Sequence, residues 1–269
     1  MPKQNSEKTF FSTIKRSALV VNQSDAGAGV AGLLGFAGLS LIATVFFITE
    51  NYFISMLTIS IGLLVYVTGL DLAKILISSF TIFFSSKHLI PKAAYLQETL
   101  ASLKGILQLK RNLQGEIKIG PIKKGSVINL PDNSLVKDIK RVLDDEKDFD
   151  YAEYIAHSYY VECHELYEYS STNLEFVANS MPLFGLIGTI VGLIAMFEGL
   201  GADVTVESLS PQLALALKTT LYGAIFSSVY KIIGSRFEQR LKSLDYDYET
   251  FCRALQVIVE NKTVIEVEE

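Results

Sequence analysis

Two threonines, Thr189 and Thr220, stand inside long apolar stretches, the uncharged "PLFGLIGTIVGLIAMF" and "ALALKTTLYGAIFSS", whose one charge is Lys218. Wound as helices, Pro182, Gly185, Thr189, Gly192 and Met196 fall along one side of the first. Ala216, Thr220, Gly223 and Ser227 do the same in the second. Small faces of this kind let two backbones approach closely, and Gly188–Gly192 is a small-xxx-small unit, so Gly188 and Pro182 read as close-packing positions. The hydroxyls admit two readings. Each can bond back to its own helix, or both small faces can border a protein-lined cavity where hydroxyls hold water or meet an ionisable group. No Asp, Glu or His occupies the central part of any apolar run, so a titrating group would have to come from another chain or from water. Lys218 is two positions from Thr220, about 200° round the helix and off the hydroxyl stripe. A charge there needs a counter-charge or a route to the headgroups. Glu198 is the candidate for a buried ion pair with it, and direct ion conduction is the alternative.

Other chemistries are excluded by spacing. "GLIGTIVG" is neither G-x-G-x-x-G nor a run ending in G-K-[ST], so no cofactor-binding phosphate loop follows. No nucleophile–base–acid motif is present, and the chain reads as no enzyme. Cys163 and His164 adjoin, but neighbouring helical positions point about 100° apart and no further ligands complete a metal site. The formal net charge of −5 argues against nucleic acid as a partner.

The elements that must position the threonines are membrane helices. Apolar residues are 49% of the 269 and charged residues only 20%. They concentrate in four runs, 26–48, 51–70, 176–197 and 208–230, each of roughly the 20 residues that cross a bilayer. Neither short link between paired runs carries Lys or Arg, whereas basic residues flank the other ends. The pattern predicts N-in/C-in topology with both links outside. The expected organisation is an all-α polytopic protein: a cytoplasmic arm (1–25), an outer hairpin with an apolar inner extension (26–86) and a cytoplasmic segment (87–175). A second hairpin (176–230) and a cytoplasmic amphipathic helix (231–269) follow. Within 87–175, "EIKIGPIKKGSVINLPDN" reads as loop or small hairpin, and from about 150 a helix is expected with Ile155, Tyr159, Leu166 and Tyr169 on its packed face. In the tail, Phe237, Leu241, Leu244, Tyr248, Phe251, Leu255 and Ile258 step by four and three on one face. Cys163 and Cys252 fall on the cytoplasmic side and are expected to be reduced.

"SMPLFGLIGTIVGLIAMF" (180–197) and "ALALKTTLYGAIFSS" (214–228) resemble the two signatures of the MotA/TolQ/ExbB proton-channel family, in order and spacing. The resemblance covers 178–228. It implies a subunit of the bacterial cytoplasmic (inner) membrane, five copies of which surround a dimeric single-span partner of the MotB/TolR/ExbD type. That partner supplies an essential aspartate, and ion flow drives rotation or other work on the envelope. On this resemblance Thr189, Thr220, Gly185, Gly192, Ala216, Gly223 and Ser227 line the channel or face the partner, and the translocated ion is H⁺, with Na⁺ as the alternative. Four spans match the flagellar stator members, while the threonine motif is similar to the TolQ/ExbB version. The rival reading is a structural membrane scaffold associating through the same small faces.

Overall fold

The computed structural model describes residues 29–69, 76–77, 79–80, 82, 91–107, 110–111, 117–118, 120, 125–144, 149–199, 206–261 and 263–267. The arm at 1–25, the basic pair at 123–124, the acidic 145–148 and the link at 200–205 lie outside them. In chain order the elements are α1 (Val30–Ile48), α2 (Tyr52–Thr68), α3 (Pro91–Leu107), β1 (Lys110–Arg111), β2 (Ile117–Lys118) and β3 (Val127–Leu130). Then follow α4 (Ser134–Asp144), α5 (Phe149–Glu198), α6 (Val206–Glu260) and β4 (Val264–Val267). The fold is helical and of multi-pass membrane type.

Helices α5 and α6 have 50 and 55 residues and continue unbroken through Pro182 and Pro211. Both are long and apolar enough to cross a bilayer, and in their most apolar windows only 22% and 28% is buried within the chain. Leu183, Leu186, Ile187, Ile194 and Phe197 each expose half or more of their surface. A water-soluble core helix would bury these side chains, so this surface calls for lipid or other helices.

The chain forms two compact units. One comprises the described residues of Val20–Phe80 and Tyr169–Phe237. There α1 and α2, the two shorter apolar helices, form a tight hairpin. A Cβ on Gly32 would lie 3.0 Å from the Tyr66 carbonyl oxygen, so that crossing is backbone on backbone. Ser55 donates to the Ala43 carbonyl (2.8 Å) across the same interface. The turn Thr49–Asn51 holds Glu50 in the left-handed region at φ 62. Phe53, just beyond it, packs on Tyr222 and Phe226 of α6 at ring-centroid distances of 5.5 and 5.4 Å. Farther along both helices, Tyr230 donates to Ser60 (3.3 Å).

The second unit draws on Thr81–Glu168 and Glu238–Glu269. Its core joins Leu96, Leu100 and Leu103 of α3, Leu135 and Ile139 of α4, and Leu244, Phe251 and Leu255 of α6, all essentially buried. Asn133 caps α4 through Val136 N–H (3.0 Å) and donates to Thr99 (3.0 Å), closing a buried polar contact between α3 and the α4 entry. The tail register holds at Phe237, Leu244, Phe251, Leu255 and Ile258, which are buried, while Leu241 and Tyr248 are half-buried.

Three sequence expectations change here. The packed face of α5 is carried by Ala152, Ala156, Cys163 and Tyr167, with Ile155, Tyr159 and Leu166 only half-buried. That face mixes small Ala and Cys with the large Tyr167 and lies less than a quarter-turn round the helix from the expected one. The 116–133 stretch contributes to two small sheets. β1 and β2 pair antiparallel, but β3 pairs in parallel with β4, Val127 opposite Val264 through Leu130 opposite Val267. The tail helix therefore ends at Glu260, and alternating "VIEV" leaves it as a strand with Ile265 turned into the core.

Candidate functional site: a hydroxyl edge on a glycine-packed hairpin

The site is the crossing of α5 and α6 within the first unit, and glycine sets its closeness. A Cβ on Gly223 would lie 2.9 Å from the Met181 carbonyl oxygen and 3.1 Å from Gly185 Cα. One on Gly192 would meet the Gln212 carbonyl at 2.8 Å and Ala216 Cβ at 3.0 Å. One on Gly188 would overlap the side chain of Thr219, 2.7 Å from its Cγ2. Gly185, Gly188, Gly192, Ala216, Gly223 and Ser227 are all buried in this seam. Larger side chains at these points would hold the two backbones apart.

Thr189 and Thr220 meet at the margin of the seam, their hydroxyls in direct contact. Thr189 is half-buried and Thr220 exposed, so the pair forms an edge open to whatever lies against the hairpin. Thr189 also donates toward the Gly185 (3.2 Å) and Ala216 (3.3 Å) carbonyls, and Thr220 toward Ala216 (3.0 Å). The hydroxyls therefore bond back to the helices, the first of the two sequence readings, while their edge of the hairpin stays accessible within this chain. Pro182 is exposed and Met196 half-buried along the same side.

Sequence reasoning missed Thr219. It is fully buried beneath the exposed pair, facing Gly188, and donates to Leu215 (3.0 Å) or Ala216 (3.1 Å). The signal was available, because Ala216–Thr219 is an i,i+3 step as good as Ala216–Thr220. The Ala216 carbonyl therefore lies within reach of three hydroxyls, while a carbonyl has two lone pairs. Leu215 and Gly185 can take the surplus donors. One of the two hydroxyls donates to the other and the acceptor bonds back to a backbone carbonyl, which leaves oxygen lone pairs at this edge suited to water, a cation or a protonated acid.

Lys218 and Glu198 are not brought together. Both are exposed, and neither has an ion-pair partner among the described residues. Gly188 faces Thr219, so Lys218 is level with about residue 188 of α5. Glu198 lies some nine or ten residues farther along, ~14 Å at 1.5 Å per residue, beyond the reach of a lysine.

The second unit holds a polar cluster between α5 and α6. Tyr160 donates to Asp245 (2.8 Å) and stacks on Tyr248, whose hydroxyl lies 3.2 Å from His157 Nδ1. His164 lies 3.6 Å from Glu168 and 3.8 Å from Asp245. Tyr159 donates to Asp138 (2.8 Å), and burial followed by that carboxylate pushes its phenol up to about 12. Burial, with Glu162 next, pushes the Cys163 thiol up to about 12 as well, consistent with an inert packed thiol. No metal-binding group of three ligands occurs among the described residues.

Residues 128–250, which contain the crossing, match the model of the MotA/TolQ/ExbB proton channel family. The chain is 35% identical over 97 residues to motility protein A of Aquifex aeolicus, covering 35% of this chain and 37% of that one. It is 41% identical over 75 residues to the chemotaxis protein PomA of Vibrio alginolyticus, covering 28% and 26%. It is 33% identical over 101 residues to the Tol-Pal system protein TolQ of Pseudomonas aeruginosa, covering 36% and 43%. The chain thus spans less than half the length of each of these relatives. The solved structure of C. jejuni MotAB superposes with a TM-score of 0.51 at 17% identity, covering 87% of this chain and 90% of that one, a likeness of fold. Together these findings are a strong match to that family.

Proposed function

We propose that the chain is the ion-channel subunit of a membrane motor or envelope-energising machine, working with a single-span partner of the MotB/TolR/ExbD type. The observation that carries the reading is the Thr189–Thr220 contact on the open edge of a glycine-packed hairpin whose own apolar runs, 176–197 and 208–230, contain no Asp, Glu or His. The wall is polar and accessible, and the titrating group has to be brought to it. A partner aspartate against the hydroxyls supplies that group, and its protonation or cation binding lets the two parts move relative to each other. The similarity to motility protein A, PomA and TolQ supports stator-type work in the bacterial inner membrane rather than enzyme chemistry. In this reading α1, α2, α5 and α6 supply four spans, both ends of the chain and residues 87–175 are cytoplasmic, and five copies enclose two partner helices. The ion is H⁺, with Na⁺ as the alternative.

The test is flux in proteoliposomes containing the chain and its partner. Thr→Val keeps the shape and removes the hydroxyl, so T189V/T220V retains assembly, read by intact-complex mass, and loses most partner-dependent flux. Full flux in the double variant removes the hydroxyl role. Selective flux from the chain alone overturns the shared channel. A scaffold without conduction would show assembly and no flux in the unmodified complex.

A further inference from the structure

Lys218 has no role in the reading above, and its position gives it one. It is the one charged residue of α6 between Glu207 and Lys231. Two sets of contacts fix its depth. Gly185 and Gly188 face Thr219 and Thr220, so the lysine is level with the hydroxyl edge, two residues from Thr220. Phe53 packs on Tyr222 and Phe226, which lie one and two turns inward on Lys218's own ridge. The α1–α2 turn, with Glu50, therefore stands at the height of Lys218. The ammonium thus belongs to the face turned toward α2, across the helix from Thr220.

Other charged or titratable groups facing that position are few among the described residues. Glu50 and Tyr52 come from the turn and the start of α2, Tyr222 from α6 itself, and α5 supplies none between Glu175 and Glu198. A helix with its side chains is about 10–12 Å across, so the lysine charge lies ~12 Å from the hydroxyl edge. The space between is protein and lipid, where salt screens weakly. At an effective dielectric of ~20, two unit charges ~12 Å apart disfavour each other by about a factor of ten in occupancy.

Building on the channel reading, we propose that Lys218 is a specificity-determining residue of the ion path. Its fixed positive charge weakens cation occupancy at the Thr189–Thr220 edge, and Glu50 at the same height offsets part of that effect. Lys218 then sets the ion concentration at which the path half-saturates without touching the ion.

The experiment is flux through the full chain with its partner, titrated with protons and separately with Na⁺. K218M lowers the half-saturating concentration of the conducted ion about tenfold, which for protons moves the midpoint up by about one pH unit. K218R keeps the charge and leaves the midpoint in place. E50Q removes the offset and moves the midpoint the opposite way, by less because the turn is exposed. K218M/E50Q falls between the single variants. Intact-complex mass confirms that the variants assemble, and if K218M does not, the sign of the E50Q shift decides. An unmoved midpoint in K218M, or a shift of E50Q in the same direction as K218M, overturns the proposal while the channel reading stands. Absence of flux in the unmodified complex overturns the channel reading and this inference with it.

Discussion

Gly223→Ala adds one methyl group at a backbone-on-backbone crossing of the α5–α6 hairpin. That methyl would sit 2.9 Å from the Met181 carbonyl oxygen, 3.1 Å from Gly185 Cα and 3.3 Å from Gly185 N. Every neighbour is backbone, so no rotamer change relieves the overlap and the helices must separate by roughly 0.5 Å to reach ordinary contact. A gap of that size forfeits about a quarter of the dispersion energy of each contact it opens. Overpacking of this kind costs about 1–3 kcal/mol, offset by about 0.5–1 kcal/mol because alanine favours helix over glycine. The net loss of up to about 2.5 kcal/mol corresponds to a fall of up to roughly 10 °C in melting temperature for a chain of this size. Gly38→Ala in α1 is the control. Nothing lies within 4 Å of its added Cβ, so it carries the helix gain alone and leaves Tm unchanged or slightly raised. Thermal unfolding of the purified chain in detergent, followed by circular dichroism, reads both. G223A melting as high as G38A would refute close glycine packing as the basis of this hairpin.

Two further outcomes follow from the second unit and the proposed topology. Cys163 titrates from its ordinary 9.0 to about 12 in the folded chain, so folding favours the protonated thiol. That contribution to stability is complete below pH 9 and is lost as pH rises through 12. Native Cys163 should accordingly resist iodoacetamide at pH 8 and react once the chain is denatured; equal rates in the two states would contradict its burial. Cysteines introduced at Asn51 and Val206 should label from outside intact cells while one at the exposed Asp132 does not, and the reverse pattern would invert the proposed orientation.

The apolar hairpins were legible in the sequence because a bilayer imposes length and polarity on each helix by itself. The small-residue stripes were legible for a related reason: glycine and threonine in an apolar run are informative whatever surrounds them. Thr219 was overlooked because i+3 and i+4 steps diverge by only part of a turn, and choosing between them requires the partner helix. The Lys218–Glu198 pairing failed on height, which depends on how far α5 and α6 slide past each other and is absent from either helix alone. The packed face of α5 failed for a different reason. It buries Ala152, Ala156 and Cys163 together with Tyr167, and a hydrophobic periodicity that weights large apolar residues gives alanine and cysteine too little say in which face packs. Strand β4 has only four residues, and its partner is remote in sequence, so no local pattern announces the pairing.

That remote pairing also governs biosynthesis. β3 and β4 must lie side by side, yet β4 leaves the ribosome roughly 130 residues later, a delay on the order of 10 s at ordinary elongation rates. Over that interval the whole of α5 and α6 is made, and their apolar halves have time to enter the lipid. Until β4 arrives, Ile128 and Leu130 lack the strand that pairs with theirs. Nascent chains stalled after Glu260 should therefore be protease-sensitive around β3, whereas chains extended through Val267 and clear of the ribosome should be protected there, making the last strand a clock that closes the unit after insertion.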